Sequence, residues 1–335
     1  MDLAAMTLLP FGCVEQRKPS STMTSSADSL WAITSYFNPM HSRRRLLNFR
    51  TFRKRLNVPL VAVELSFGSD FELQEQDADI LIQLRGGALL WQKERLLNLA
   101  LRALPKDCRK VAWLDCDIVF GTADWAESAS RLLDDFALIQ MFKCAHYLSP
   151  RWTPAKDCTT EVEFTRPAAI FSISSGLPAT VCVGQISNTR DGSYAKGLAW
   201  AVRREIVDQH GFFDACIIGG GDTAMASAAK YCFDAVMKAH YMNERQRDRY
   251  MGWAKPFYET VRGEVGYLDA QIYHLWHGDY RNRRRAGRHE GLQQFQFDPF
   301  TDIAKDTNGC WRWATEKAEM HDYIRGYLSS RGEDG

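Results

Sequence analysis

The sequence predicts an α/β fold, in which a mixed and mainly parallel sheet is flanked by helices in three layers. Apolar strand-like segments alternate with helical ones, and polar residues directly follow several of the apolar segments. The chain has 335 residues, of which 45% are hydrophobic, so it can bury a substantial core. We expect a flexible tail over residues 1–28, one domain over 29–290, and a helical extension over 291–335 that packs on it.

The strands and helices begin near Ser29, after a head rich in Ser and Thr. The predicted elements, in order, are a strand over 30–36, a helix over 43–56, strands over 60–65 and 80–84, a helix over 93–103 and a strand over 110–114. Strands that alternate with helices in this way are typical of a parallel sheet with helical crossovers.

Two basic clusters lie behind the net charge of +1, one over residues 43–55 and one over 281–288. Both carry the charge needed to bind phosphate. The first is equally compatible with the solvated face of a helix whose apolar residues point inward, namely Leu46, Leu47, Phe49 and Phe52.

The nine cysteines form no CxxC pair, and several lie in apolar contexts. We therefore expect reduced thiols and a cytoplasmic protein, which would be the host cytoplasm if the chain is viral. The apolar run over residues 6–11 is short and contains Pro10, so it predicts neither a signal peptide nor a membrane span.

Ligands of parallel sheets bind at the carboxyl ends of the strands, so polar residues at those ends are candidate site residues. Three places qualify: residues 34–39 after the first strand, Glu64 near the end of the second, and Asp115-Cys116-Asp117 after the strand over 110–114. Two carboxylates that follow a buried strand require a cation or a hydrogen-bond network. Hard oxygen ligands suit Mn²⁺ or Mg²⁺, which would neutralise the leaving diphosphate of a nucleotide sugar.

The segment over residues 196–225 contains a glycine-rich stretch, Gly219-Gly220-Gly221, followed by Asp222. Glycine lets the backbone approach a ligand closely. Asp222 has two possible roles that the sequence leaves open. It either caps a helix that begins at Ala224, or it is the general base that deprotonates an acceptor hydroxyl.

A third motif, Tyr273 to Gly278, places two histidines three residues apart, ahead of the second basic cluster. One imidazole can join the same metal, while the arginines that follow bind the diphosphate. We prefer His277 as the ligand, with His274 as the alternative.

Taken together, these segments resemble the GT-A glycosyltransferases of family 2 type, and most closely the β-1,4-galactosyltransferase and polypeptide N-acetylgalactosaminyltransferase branch. The segment over residues 92–98 resembles the helix before that family's DxD strand, residues 196–222 its acceptor segment, and residues 274–278 its late metal-binding histidine. The resemblance spans roughly residues 29–288.

The resemblance implies an inverting, metal-dependent transfer of a sugar from a nucleotide sugar, with UDP-sugars favoured, to an acceptor hydroxyl. Asp115 and Asp117 would bind the metal, with Asp115 also near the ribose or diphosphate, and His277 would complete the metal shell. Asp222 would be the base, and Trp200, Gly220 and Gly221 would face the acceptor. The implied donor-binding residues are Thr34, Tyr36, Asn38 and Glu64 for the nucleoside, Lys93 and Asn98 for the ribose-phosphate region, and Arg281 and Arg284 for the diphosphate.

Three further expectations concern local structure. Trp200 either stacks on the acceptor or packs in the core. Residues 144–195 are expected to be an irregular, acceptor-facing segment, and residues 310–328 to be a closing amphipathic helix.

Other functions remain open at this stage. The acceptor could be a glycan or, as an alternative, a hydroxymethylated base in viral DNA, a form of DNA modification. The net charge of +1 is low for a dedicated DNA-binding protein. A non-catalytic sugar- or nucleotide-binding protein is an alternative of another class. A third alternative is a metal-dependent phosphohydrolase or nucleotidyltransferase, in which the histidine motif and the stretch from Gly219 to Asp222 would have no use.

Overall fold

The computed structural model describes residues 30–68, 70–185, 193–284 and 287–335. The predicted tail over 1–28 and Arg285 of the second basic cluster lie outside these residues. The strands are β1 (Leu30–Phe37), β2 (Leu60–Ser66), β3 (Ile80–Arg85), β4 (Lys110–Leu114), β5 (Ile118–Phe120), β6 (Leu138–Gln140), β7 (Cys144–Leu148), β8 (Val162–Pro167), β9 (Ala199–Arg203), β10 (Val265–Tyr267), β11 (Gln271–His274), β12 (Ile303–Lys305) and β13 (Trp311–Trp313). The helices are α1 (Arg43–Arg55), α2 (Lys93–Ala103), α3 (Trp125–Asp135), α4 (Ala169–Ser174), α5 (Arg204–His210), α6 (Gly221–Ala229), α7 (Phe233–Ala239), α8 (Glu244–Val261), α9 (Gly287–Gln293) and α10 (Ala318–Ser329).

The main sheet has seven strands in the order β10-β6-β9-β4-β1-β2-β3. Strands β1 to β4 run parallel to one another, and β9 runs antiparallel to both of its neighbours, β4 and β6. The sheet is therefore mixed and mainly parallel, as the sequence predicts.

Alternate residues of the strands pack into two separate cores, one on each face of this sheet. Ile33 and Val61 pack with Leu96 of α2 on one face, whereas Ala32 packs with Phe49 of α1 on the other. Because successive side chains of a strand point to opposite faces, this alternation produces three layers. The predicted fold class is confirmed.

The six elements predicted over residues 30–114 are all present, with bounds that differ by at most one residue. Within α1 the prediction of the buried face is only partly right. Phe49 and Phe52 are buried, but Leu47 is 42% exposed, and Arg45 turns inward with its side chain 13% exposed. Arg45 points inward because it forms an ion pair with Glu333.

A second sheet, in the order β5-β11-β7-β8, contradicts the irregular segment predicted over residues 144–195. Strand β7 pairs in parallel with β11 and antiparallel with β8. Its partner β11 lies more than a hundred residues later in the chain, and local sequence patterns do not reveal a pairing of that range. Residues 186–192 of this segment lie outside the described residues.

The helix predicted over residues 310–328 is shorter than expected, because α10 begins only at Ala318. Residues Trp311–Trp313 instead form a hairpin with Ile303–Lys305. A turn that ends at Gly309, with a φ of +81°, reverses the chain between the two strands. Hairpin and helix together pack on the domain in one apolar cluster that includes Leu90, Ile217 and Trp311. Among the described residues, no helix is both long enough and apolar enough to cross a membrane.

Candidate metal centre and active site

A polar pocket opens at the carboxyl ends of β1 and β4. Its walls come from segments that are far apart in the sequence: Ser35 and Phe37, residues 114–117, residues 193–198, Gly220 with 222–223, His274, His277, Arg283 and Arg288, together with Arg45, Trp91, Lys93, Tyr147, His240 and Arg331. This position agrees with the rule that ligands of open α/β sheets bind at the carboxyl edge.

The Asp115-Cys116-Asp117 triplet forms the turn between β4 and β5. The backbone N–H of Asp115 donates to the carbonyl of Leu198 over 2.8 Å, and the carbonyl of Asp117 accepts from the N–H of Leu275 over 2.7 Å. The triplet is thus fixed between the segment before β9 and the segment after β11, and the second of these carries the histidine motif.

Asp117, His274 and His277 bring their ligand atoms within 4.8 Å of one another. The Nε2 atom of His277 lies 2.9 Å from Oδ2 of Asp117, and that of His274 lies 3.8 Å from Oδ1. Burial by itself would raise the pKa of Asp117, but His277 and His274 hold that pKa well below its usual range. Both histidines therefore belong to the group with Asp117, whereas the sequence favours His277 as the ligand, with His274 as the alternative.

The residues present fit a divalent cation. Oδ1 of Asp117 is buried and has no hydrogen-bond partner, and a buried carboxylate oxygen without a partner is costly unless a cation binds it. One carboxylate and two imidazoles are hard and borderline donors that first-row divalent metals accept.

Asp115 lies apart from this group, although the sequence predicts that both aspartates hold the metal. Its Oδ1 lies 2.5 Å from the Nζ of Lys93, and the same ammonium lies 2.9 Å from Oδ2 of Asp222. Burial raises the pKa of Asp115 to about 6, with Lys93 opposing and Asp222 adding to the shift. Burial would lower the pKa of Lys93, but Asp115 and Asp222 hold it well above its usual value. Lys93 thus links the turn over residues 115–117 to the glycine-rich segment.

Asp222 lies inside α6 rather than at its cap, because the helix begins at Gly221 and Gly220 is the N-cap residue. Gly220 has a φ of +104°, a left-handed conformation that favours glycine. Gly197 packs directly against the Asp222 carboxylate, and a Cβ atom at residue 197 would overlap it. The carboxylate is therefore held in the pocket by Lys93 and by the absence of a side chain at Gly197. Gly220 lines the same pocket, whereas Gly221 is buried behind it.

Glu94, which sequence reasoning missed, lies directly behind this turn. Its side chain is buried against Gly221, and its Oε1 has no hydrogen-bond partner. Burial raises the pKa of Glu94 to about 8, and the ammonium of Lys93 opposes the shift. No sequence pattern marks a buried carboxyl within a helix that reads as amphipathic.

The predicted nucleoside-binding residues do not line the pocket, because their side chains bond within the protein. Thr34 donates to the carbonyl of Leu114 over 2.7 Å, and Glu64 accepts from the N–H of Glu72 over 2.6 Å. Tyr36 and Asn38 both bond to Glu72. The pocket is lined instead by Ser35 and Phe37, on the opposite face of β1.

Two further predicted site residues are structural. Trp200 is fully buried and stacks on Trp113 with ring centroids 6.0 Å apart, so it belongs to the core and not to an acceptor platform. Asn98 holds the loop before α6 by donating to the carbonyl of Phe212 over 2.9 Å and accepting from its N–H over 2.7 Å.

Within the second basic cluster, the arginines that line the pocket are not Arg281 and Arg284, the two that the sequence predicts for the diphosphate. Arg281 is 85% exposed at its side chain and pairs with Asp279, and Arg284 is exposed. Arg283 and Arg288 line the pocket instead, and Arg283 lies 2.7 Å from Nε2 of His277. Arg283 thus contacts one histidine of the candidate metal-binding group.

No family model and no curated protein sequence matches this chain. It is similar to three solved structures, among others. Glucosyl-3-phosphoglycerate synthase from Mycobacterium tuberculosis, in complex with Mn²⁺, uridine diphosphate and phosphoglyceric acid, is 10% identical, with a TM-score of 0.40 over 81% of this chain and 78% of that one. A β-1,4-galactosyltransferase 7 from Drosophila, with manganese, UDP-Gal and xylobiose, is 10% identical, with a TM-score of 0.36 over 87% of this chain and 97% of that one. The 4-diphosphocytidyl-2C-methyl-D-erythritol synthase of Anaerococcus prevotii is 11% identical, with a TM-score of 0.34 over 73% and 88%.

Proposed function

We propose that this protein is a metal-dependent glycosyltransferase, which moves a sugar from a nucleotide sugar to an acceptor hydroxyl. The observation that carries the proposal is the group formed by Asp117, His274 and His277, with its unpartnered carboxylate oxygen. This group shares a pocket with Asp222 and Arg283. A cation, an arginine and a carboxylate within one pocket are what displacement of a nucleoside diphosphate by a hydroxyl requires.

Asp117, His274 and His277 would hold the cation. A site with two imidazole ligands favours Mn²⁺ over Mg²⁺, because Mg²⁺ strongly prefers oxygen ligands. When bound, the cation supplies Lewis-acid stabilisation of the leaving diphosphate. Arg283, beside His277, would donate hydrogen bonds to the phosphate oxygens. Arg288, in the same pocket, is the second candidate for that role.

Asp222 is the residue we assign to accept the proton of the attacking hydroxyl. Lys93 contacts both of its oxygens, over 2.9 and 3.1 Å. This ammonium fixes the position of the carboxylate in the pocket, where an acceptor hydroxyl would donate to the same oxygens. We expect inversion at the anomeric carbon, because a base that deprotonates the attacking hydroxyl supports a direct displacement of the leaving diphosphate.

The experiment that tests the proposal is a donor screen. The protein is incubated with Mn²⁺ and each common UDP- or GDP-sugar, and the release of nucleoside diphosphate is measured with and without pooled acceptors. We expect turnover with a UDP-sugar that chelation of the metal abolishes. Binding of a donor with no turnover in any acceptor pool would favour the non-catalytic binding protein, and the absence of both binding and turnover would refute the proposal.

The acceptor is tested in a second step with the donor so identified. One arm contains oligosaccharides, and the other contains duplex DNA with hydroxymethylated bases. We expect the glycan arm to be the productive one, because the net charge is only +1 and DNA-binding proteins depend on phosphate neutralisation. Transfer to the DNA arm alone would reverse this assignment.

A further inference from the structure

The segment Arg331–Asp334, which follows α10, lies against the candidate metal centre. Glu333 within it is buried, with its side chain 8% exposed. Its Oε1 accepts from Nε of Arg331 over 2.8 Å and from Arg45 over 3.1 Å. The same oxygen lies 3.3 Å from Nδ1 of His277. A carboxylate from the C-terminal segment thus contacts one of the two histidines of the group.

We propose that Glu333 is a positioning residue of the metal centre, which holds His277 in the tautomer that ligates the cation. This inference rests on the metal site of the proposed function. A neutral imidazole has one N–H and one lone pair. If Nδ1–H donates to Glu333, the lone pair is on Nε2, the atom that faces Asp117 at 2.9 Å. Metal-binding histidines commonly donate their other N–H to a carboxylate in this way.

The surroundings of Nε2 agree with this tautomer. The guanidinium of Arg283 lies 2.7 Å from Nε2 of His277, and a guanidinium only donates hydrogen bonds. Nε2 is the acceptor in that contact, as the Nδ1–H tautomer requires, and its second neighbour, the carboxylate of Asp117 at 2.9 Å, is one that a bound cation would share with the Nε2 lone pair.

Two arginines fix Glu333 independently of His277. Arg45 comes from α1 and Arg331 from the segment itself, so the carboxylate is held from two sides and remains ionised. Asp334 then accepts from the N–H of Arg44 over 2.9 Å and from the hydroxyl of Ser42 over 2.7 Å, at the start of α1. The contacts to the Glu333 carboxylate itself therefore come from the two arginines, whereas Asp334 contacts only the start of α1.

The first test compares metal affinity in two matched variants. Glu333→Gln removes the charge that orients His277, whereas Asp334→Asn removes the neighbouring charge, which contacts Ser42 and not His277. Binding of Mn²⁺ alone, without donor, is measured by electron paramagnetic resonance of the free ion. We expect Glu333→Gln to bind Mn²⁺ about 10- to 100-fold more weakly, the range found for carboxylates that orient metal ligands, and Asp334→Asn to stay within about twofold of the wild type, since it leaves all metal ligands and their partners in place.

Equal affinity of Glu333→Gln and the wild type would overturn the proposal, and so would an equal loss in both variants. The second test needs no variant. In wild-type protein loaded with Zn²⁺, which is diamagnetic, ¹⁵N–¹H correlation spectra should show His277 protonated at Nδ1 and coordinated through Nε2. Coordination through Nδ1 would refute the role of Glu333.

Failure of this inference is distinguishable from failure of the proposed function. A wild-type protein that binds Mn²⁺ but turns over no donor refutes sugar transfer and leaves the role of Glu333 intact. A wild-type protein that binds no Mn²⁺ refutes the metal site and the role of Glu333 with it.

Discussion

The Nε2 atom of His277 lies 2.9 Å from Oδ2 of Asp117, although the two residues are far apart in the sequence. The contact exists because the carbonyl of Asp117 accepts from the N–H of Leu275, which joins the turn after β4 to the end of β11. The candidate metal centre therefore depends on this hydrogen bond and on the pairing of β5 with β11, in which Ile118 lies opposite His274.

Asp117→Asn should remove most of the affinity for Mn²⁺. The loss should be at least about 100-fold, since even residues that only orient metal ligands account for about 10- to 100-fold. Mn²⁺ stabilises the folded state by mass action, so it should raise the melting temperature of the wild type and not that of the variant. Asp279→Asn is the control, because that aspartate pairs with the exposed Arg281. A variant that is stabilised by Mn²⁺ as much as the wild type would exclude Asp117 as a ligand.

Asp222→Asn should retain the affinity for UDP but lose transfer by about 100-fold or more, the usual contribution of a general base. The measurements are the rate constant for transfer and the Kd for UDP. Transfer near the wild-type rate would exclude Asp222 as the general base and would assign it only the ion pair with Lys93.

Gly197→Ala tests the same carboxylate without removing it. The added methyl would displace Asp222 from its position beside Lys93, so we expect transfer to fall while Mn²⁺ affinity is kept. Gly252→Ala in α8 is the matched control, because a Cβ atom there meets nothing within 4 Å. It should leave transfer unchanged and stabilise the helix by up to about 1 kcal/mol.

Glu94→Gln should change how stability depends on pH. Burial raises the pKa of Glu94 in the folded state to about 8, above its unfolded value near 4.5. The folded state thus binds this proton more tightly, so the contribution to stability is complete below the unfolded pKa and is lost as the pH rises through about 8. The free energy of unfolding of the wild type, relative to the variant, should therefore fall between pH 5 and 8, by at most about 1.4 kcal/mol per pH unit.

Urea unfolding at several pH values measures this difference. The control is Glu127→Gln, since the Glu127 side chain is 75% exposed. A difference between the wild type and Glu94→Gln that does not vary between pH 5 and 8 would show that Glu94 is ionised throughout.

Trp200→Leu should lower stability and leave substrate binding unchanged. The variant loses the stacking on Trp113 and the hydrogen bond from Nε1 to the carbonyl of Lys196, and it leaves a cavity, for a cost of about 3 kcal/mol. Trp91→Phe is the contrasting variant, because Trp91 lines the pocket, and its effect should appear in the KM for a substrate. If folded Trp200→Leu had a changed KM for the acceptor, Trp200 would contact the acceptor after all.

The site could be predicted from the sequence only in part. The Asp115 to Asp117 triplet and both histidines were found because each lies at the end of a recognisable apolar segment. The predicted nucleoside-binding residues of β1 lie on the face away from the pocket, where Tyr36 and Asn38 bond to Glu72. A sequence reveals a strand's two-residue period, but when both faces are buried it does not reveal which face borders the ligand pocket.

The sequence by itself predicted the layered α/β fold, the first six elements and the candidate metal-binding residues, because these follow from local periodicity and from residues adjacent to strand ends. Only the tertiary structure decided the partners of those residues. In the folded chain Asp115 pairs with Lys93, and Asp117 lies beside the two histidines. Glu333 contacts His277. These contacts join segments that are distant in the chain, and such pairs form only when the sheets and helices have packed together.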